Sequence, residues 1–288
     1  MLLAATDYLR PGSLDEAVGA LAGTPGARVL AGGQSLLNVL KHRAASVSLL
    51  VDVSRLAELR TLTAGDDGSL SVGAGCTYAQ LAQSQAVAAT HRLLGEVAAA
   101  TVDRQVRNRG TIGGNACFAD PAGNFPPLLV ALGAAMEVAG PGGSREVAAE
   151  EFFRGAYRTA LEPGEILRAI VLPPLGDAGV GYRSLLLAAD SWALARAAVL
   201  VRANGTIAQA RVVLGCVAGK PVRARAMEER LNGQPATAEA VADAASAADF
   251  GLTPPSDSHA SGEYRLQMAR VMARRAVLDA IGTGDGRG

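Results

Sequence analysis

The stretch Arg107-Asn108-Arg109-Gly110-Thr111-Ile112-Gly113-Gly114-Asn115 decides how this chain is read. A helix-like run, Leu93 to Val102, leads towards it, and a turn rich in proline and glycine follows. Adjacent glycines allow backbone angles closed to other residues and let main-chain N–H groups approach a ligand closely. Thr111 and Asn115 add short side chains that hydrogen-bond. Successive N–H groups in such a loop form a concavity for an anion, a phosphate above all, with no lysine needed.

A second loop, Ala31-Gly32-Gly33-Gln34-Ser35, follows the strand-like Arg28-Val29-Leu30 and precedes a helix-like Leu36 to Lys41. With Gly 34 among 288 residues, either loop alone reads equally well as a tight turn. As a pair, in these contexts, the loops suit the two phosphates of one pyrophosphate.

Ala31-Gly32-Gly33-Gln34-Ser35 and Thr111-Ile112-Gly113-Gly114-Asn115 resemble the two FAD-pyrophosphate motifs of the flavoprotein (medium) subunit of molybdenum hydroxylases, the xanthine dehydrogenase and aerobic carbon monoxide dehydrogenase family. The resemblance runs on, in order, through Leu49-Leu50-Val51-Asp52-Val53, Gln105 to Gly110, Ala119-Asp120-Pro121, Pro221-Val222-Arg223-Ala224 and Glu263-Tyr264-Arg265.

By that resemblance, Val29, Leu30, Ala31, Gly32, Gly33, Gln34 and Ser35 wrap the dinucleotide. The pyrophosphate lies between Gly32-Gly33 and Gly113-Gly114, with Gly110, Thr111 and Asn115 in the second loop. Thr101 lies near the dinucleotide and Leu167 near its adenine side. Two positions depart from the family pattern. Asn124 stands where an aspartate commonly meets the ribityl chain, and Ser184 where lysine is frequent. Both departures remove charge near the flavin, so its potential and its acceptor are open while the pyrophosphate loops are untouched. No catalytic side chain and no metal ligand is expected in this chain.

Length and composition agree with this. At 288 residues the chain is long enough for more than one packed unit. A hydrophobic fraction of 49% and a charged fraction of 19% describe a globular protein with an ample core. A formal net charge of +0 argues against a general nucleic-acid or anionic-membrane binder. Cys76, Cys117 and Cys216 are far apart with no C-x-x-C pair, and His42, His91 and His259 show no ligand spacing. An odd, unframed cysteine count fits a reducing compartment. Met1 to Tyr8 lacks the features of a signal peptide and no apolar run spans a bilayer, so the cytoplasm is expected.

Taken in order, Ser13 caps a helix through Gly23, with Glu16 at capping-box spacing. Val29 to Ala31, Leu36 to Lys41 and Leu49 to Val53 form a β-α-β opening with the first glycine loop at a strand end, a usual ligand position. Ser69 to Gly73 alternates as a half-buried strand. Thr77 starts a helix to about Gln85, and Thr90 starts another up to Thr101. Pro126 and Pro127 suit the first turn of a helix through Leu132. Ala135 to Val138 and Ile166 to Leu172 are strands, and Pro173 to Gly179 a linker. Three strands follow, Gly181 to Leu187, Leu194 to Arg202 and Ile207 to Val217, with Asn204-Gly205 as a hairpin signal. Helices Arg223 to Leu231, Ala236 to Ala247 and Tyr264 to Ile281 close the chain.

The expected fold is therefore α+β: a FAD-binding p-cresol methylhydroxylase-type two-subdomain fold plus a C-terminal antiparallel sheet with helices. Residues 1–55 form an N-terminal α/β FAD-binding subdomain, residues 56–175 a central α+β FAD-binding subdomain, and residues 176–288 the sheet-and-helix domain.

Other nucleotide and nucleophile motifs fail: no G-x-x-x-x-G-K-[ST] and no G-x-S-x-G is present. The chemistry then belongs to a bound cofactor. The resemblance implies FAD on this chain, a large molybdopterin subunit and a small subunit with 2Fe–2S clusters, in a dimer of heterotrimers. This chain would take electrons from the clusters and pass them to an external acceptor. Two rivals stay open: a self-sufficient FAD oxidoreductase of the p-cresol methylhydroxylase superfamily, and a non-catalytic assembly subunit. Trp192 is read either as an aromatic against the isoalloxazine or, by preference, as a core residue. Arg107 and Arg109 meet phosphate or a partner, or lie on a solvated loop. Tyr264 anchors the last helix or approaches the flavin.

Overall fold

A computed structural model describes residues 3–101, 103–189 and 191–282. The chain divides into two units. One comprises Met1–Phe118, Ala135–Arg154 and Arg158–Leu172; the other comprises Ala119–Ala134, Gly155–Tyr157 and Pro173–Gly288. The mixed α+β class expected from the sequence is observed.

The first unit opens with a parallel three-stranded sheet in the order Asp7–Leu9, Leu49–Asp52, Arg28–Leu30. Alternation along the central strand sorts its side chains. Val51 packs with Leu14, Ala17 and Val18 of the helix Leu14–Gly23, while Leu50 packs with Leu40 and Val47. Ser13 caps that helix by accepting from the Glu16 N–H, as the spacing predicts. The reciprocal half of the capping box is absent: Glu16 accepts instead from the Gly12 N–H at 2.7 Å.

Asp52 ends the central strand and braces the sheet. Its carboxylate accepts from the Ser54 N–H at 2.9 Å, from the Tyr8 hydroxyl and from the Arg10 guanidinium at 3.1 Å. Burial pushes this carboxyl up, but the hydrogen bonds from Ser54, Tyr8 and Arg10 outweigh it and hold the pKa down to about 2, from 3.8. A depressed folded-state pKa stabilises above the unfolded value and ceases to do so as pH falls through the folded one. Asp52 is therefore expected to contribute about 2 kcal/mol at neutral pH, lost between about pH 4 and about pH 2. Denaturant titrations of Asp52→Asn should show a loss of that size at pH 7 and a flatter stability curve across that acid window.

The rest of the first unit is an antiparallel five-stranded sheet, ordered Leu62–Ala64, Leu70–Gly73, Ile166–Leu172, Ala135–Gly140, Gly143–Ala148. Helices Tyr78–Gln83, Gln85–Thr90, Arg92–Ala100, Arg104–Arg109 and Ile112–Phe118 accompany it. Thr77 makes a full capping box with Gln80. Thr90, expected to start a helix, ends one instead. Its hydroxyl donates back to the Ala86 carbonyl at 2.8 Å, and Ser84 is the residue that caps Gln85–Thr90.

The second unit is built on an antiparallel four-stranded sheet, ordered Gly179–Leu186, Ala193–Asn204, Thr206–Gly215, Val222–Arg223. Gly205 turns the central hairpin with φ +68, as the Asn-Gly pair signals. Ala195, Ala197, Val199 and Val201 face the last helix, Gly262–Ala280, through its Ala269, Met272, Ala273 and Ala276. The contact is backbone-close: a Cβ at Gly181 would stand 2.0 Å from the Ala276 carbonyl oxygen. The helix Phe125–Leu132 is buried on all sides, and a Cβ at Gly215 of the sheet would stand 2.7 Å from Pro127 Cγ. Val102, which ends the helix-like run Leu93 to Val102, lies outside the described residues.

Candidate functional site

The two glycine loops meet in the first unit. A Cβ on Gly32 would stand 2.0 Å from the Arg109 carbonyl oxygen and 3.1 Å from Gly110 Cα. Backbone therefore touches backbone with no room for a side chain between. This juxtaposition is what one pyrophosphate held by both loops requires.

The first loop has the form the sequence suggests. Val29 and Ala31 pack towards the Val51 core and Leu30 towards the Leu40 core, so these three offer only their main chain. Gly33 adopts φ +75, a conformation L residues rarely take. Among the described residues, the N–H groups of Gly32, Gly33, Gln34 and Ser35 meet no acceptor. Gln34 folds over the loop, its amide donating to the Gly32 carbonyl at 3.2 Å. Ser35 precedes the helix Leu36–Lys41 without capping it, which leaves its hydroxyl uncommitted.

The second loop differs from a mirror of the first. Gly113 and Gly114 lie inside the helix Ile112–Phe118 and have ordinary negative φ angles. Gly113 is required by packing: a Cβ would stand 2.4 Å from the Ala74 Cβ. Its N–H donates to the Ala74 carbonyl at 2.9 Å, and the Gly114 N–H donates to Thr111 Oγ1 at 3.0 Å. The uncommitted groups here are the Thr111 N–H and the Asn115 Oδ1, which is buried with no partner among the described residues. Tyr78, which shares a hydrogen bond with Asn115, is pushed up to about 12 by burial and stays a neutral phenol. A buried amide oxygen without a donor is costly. A dinucleotide supplies what is missing: phosphate oxygens for the N–H groups and sugar hydroxyls for the orphaned oxygen. The residues present fit FAD.

The remaining expected residues of this unit are Thr101 and Leu167. Thr101 is buried behind the helix Arg92–Ala100, and its hydroxyl donates to the Val97 carbonyl at 2.7 Å. Leu167 is buried in the five-stranded sheet opposite Val138, just before a bulge in the register. Arg107 and Arg109 close the helix Arg104–Arg109, Arg109 on its exposed side.

Asn124, Ser184 and Trp192 belong to the second unit. The Asn124 carbonyl accepts from the Tyr182 hydroxyl at 3.0 Å. Ser184 lies directly across the ladder from Arg196 and accepts from its Nε at 2.9 Å. Trp192 is 69% exposed, which overturns its reading as a core residue: it sits where the strand Ala193–Asn204 begins, outside the packed face. Tyr264, also exposed, lies in the first turn of the last helix.

Arg196 belongs to no motif, and sequence reasoning misses it. It is a lone arginine in the apolar run Ala193 to Val201, and that is itself a signal: an arginine there is either a misread strand or a buried charge with a purpose.

Similarity to known proteins extends over the whole chain. Residues 4–175 match the FAD binding domain in molybdopterin dehydrogenase, and residues 181–280 match the CO dehydrogenase flavoprotein C-terminal domain. The chain is 39% identical over 282 residues to the carbon monoxide dehydrogenase medium chain of Afipia carboxidovorans, covering 96% of this chain and 97% of that one. It is similar in structure to carbon monoxide dehydrogenase from Hydrogenophaga pseudoflava, at 36% identity and a TM-score of 0.95, covering 99% of this chain and 100% of that one. Quinoline 2-oxidoreductase from Pseudomonas putida 86 is similar at 35% identity and a TM-score of 0.93, covering 98% of this chain and 99% of that one.

Proposed function

Since this chain belongs to the family of FAD-binding subunits of molybdopterin dehydrogenases, we propose that it receives electrons from 2Fe–2S clusters of a small partner subunit and delivers them to an external acceptor. It is an oxidoreductase subunit that binds FAD. FAD, when bound, supplies the redox chemistry. The chain's own residues hold it: the N–H groups of Gly32 to Ser35 and of Thr111 bind phosphate, and Asn115 takes a hydroxyl. Thr101 is assigned near the dinucleotide and Leu167 to its adenine side. Asn124, Ser184 and the exposed Trp192 are assigned to the ribityl and isoalloxazine end. The divisions near residues 55 and 175 mark three functional parts in this reading.

The observation that carries the proposal is the backbone contact between Gly32 and Arg109. The electron source is assigned to other chains because the thiols here are unsuited to clusters. Burial pushes the Cys76 and Cys216 thiols up, away from the thiolate form that ligates metal. In this reading the substrate is oxidised at molybdopterin in a large subunit, and the complex is a cytoplasmic dimer of heterotrimers. Among the described residues no helix is long and apolar enough to cross a membrane. The relatives' names suggest that the substrate is not written in this subunit: one is named for carbon monoxide and another for quinoline.

Affinity purification from the native host tests this. The chain is expected to bring down two partners in equal amounts, with molybdenum, iron and acid-releasable FAD, and to show no substrate hydroxylation when separated from them. A chain that elutes alone and by itself oxidises an organic substrate at an enzymatic rate would replace the proposal with the self-sufficient flavoenzyme.

A further inference from the structure

Arg196 is a buried cation held by neutral groups. Its side chain is 3% exposed. Its Nη1 donates to the carbonyls of Ala122 and Gly123 at 2.7 and 2.6 Å, and its Nε donates to the Ser184 hydroxyl at 2.9 Å. The guanidinium also lies 5.8 Å from the centre of the Tyr182 ring. All of these partners are neutral. Among the described residues no carboxylate pairs with Arg196, whereas the other buried arginine, Arg265, is held by Asp257 at 2.6 Å. Burying a charge without a counter-charge is expensive, and such groups concentrate at sites that use them.

The position of this cation gives its use. Ala122 and Gly123 lead directly into Asn124, the Tyr182 hydroxyl holds the Asn124 carbonyl, and Ser184 is the cross-strand partner of Arg196. Asn124, Tyr182, Ser184 and Arg196 are therefore one hydrogen-bonded group within one unit. Asn124 and Ser184 are the two positions where the sequence lacks a charge expected at the ring end of the flavin. The ladder register places a guanidinium next to one of them.

We propose that Arg196 supplies, from the neighbouring strand, the positive charge that a lysine at position 184 would otherwise bring to the flavin ring. The inference rests on the assignment of Asn124 and Ser184 to the ring end of FAD. Two-electron reduction of a flavin with uptake of one proton adds one negative charge to it. A fixed cation in a low-dielectric setting favours that state and raises the midpoint potential. The Ala122 and Gly123 carbonyls and the Ser184 hydroxyl hold the guanidinium in place so that the charge is preorganised.

The test is the midpoint potential of the flavin in the FAD-loaded protein purified with its partners, read by spectroelectrochemistry. Arg196→Gln is expected to retain FAD and to lower the equilibrium constant for flavin reduction about tenfold, a shift of about 30 mV to more negative potential for a two-electron couple. Arg196→Lys should hold the wild-type value. So should the exchange variant Ser184→Lys/Arg196→Ser, which also serves if Arg196→Gln folds poorly. An unchanged potential in Arg196→Gln would overturn the electrostatic role. If the exchange variant falls to the Arg196→Gln value, position 184 does not reach the ring, and the equivalence of the two positions is refuted. Neither result depends on the pyrophosphate loops, whose variants are read by FAD content.

Discussion

Gly33→Val and Gly114→Val are expected to yield folded protein that has lost nearly all its FAD. Neither substitution drives a side chain into main chain. A Cβ at Gly33 meets Leu37 Cδ1 at 2.8 Å, the end of a flexible side chain, and a Cβ at Gly114 meets only Thr111 Oγ1 at 2.7 Å. The damage falls on the ligand side. At Gly33, φ +75 adds roughly 1–2 kcal/mol of backbone strain, which the loop relieves by abandoning the geometry that aims its N–H groups. Breaking each charge-assisted hydrogen bond from an N–H to phosphate costs about 1.5–3 kcal/mol. A total near 3 kcal/mol weakens FAD about a hundredfold. At Gly114 a valine stands on the exposed face of the Ile112–Phe118 helix beside Asn115. Flavin absorbance per chain is the measurement, with circular dichroism as the control for folding. Normal flavin content in both variants would place the pyrophosphate elsewhere.

Gly32→Ala and Gly113→Ala are expected to behave differently, although each adds only a methyl group. At Gly32 the new carbon would stand 2.0 Å from a carbonyl oxygen, and at Gly113 it would stand 2.4 Å from Ala74 Cβ and 2.6 Å from the Ala74 carbonyl oxygen. Neither neighbour can rotate aside as Leu37 does, so at Gly32 the two loops must separate, and at Gly113 the helix Ile112–Phe118 must move off Ala74. Overpacking of this kind destabilises by about 1–3 kcal/mol. Both variants should therefore lose FAD and melt at lower temperature even as apoprotein, while Gly33→Val and Gly114→Val lose FAD with a smaller change in the apoprotein transition. Differential scanning fluorimetry of flavin-stripped samples separates the two classes. Wild-type melting in Gly32→Ala would mean that the loops do not touch.

The opening β-α-β unit is legible in the sequence because its signals are local. Leu49 to Val53 is a short apolar run, Leu14, Ala17 and Val18 keep helical spacing, and Ser13 lies at the cap. The hairpin at Asn204-Gly205 is legible for the same reason. The second glycine pair misleads. Adjacent glycines look like a turn, yet Gly113 and Gly114 are helical, and Gly113 is demanded by Ala74, a neighbour 39 positions away in sequence. Long-range packing of that sort leaves no periodic trace. Thr90 misleads too, because threonine serves a helix start and a back-bonded helix end equally well. Trp192 looks like core on size and rarity, and neither reports on burial. The Arg196–Ser184 pair cannot be read at all, because it depends on strand register.

The helix Phe125–Leu132 limits where the chain can be cut. It lies in sequence between segments of the first unit, but it packs in the second, under Ala193–Asn204 and Thr206–Gly215. The chain does pass from one unit to the other between Leu172 and Pro173, but a cut there leaves this helix on the wrong side of it. A fragment ending there would keep an eight-residue helix buried on every side in the intact protein and discard the sheet that covers it. The fragment beginning there would have a vacant apolar groove in its place. Neither half is a module that shuffling could trade between subunits, so new pairings of these two sequence segments must bring a matching Phe125–Leu132 helix with the C-terminal sheet.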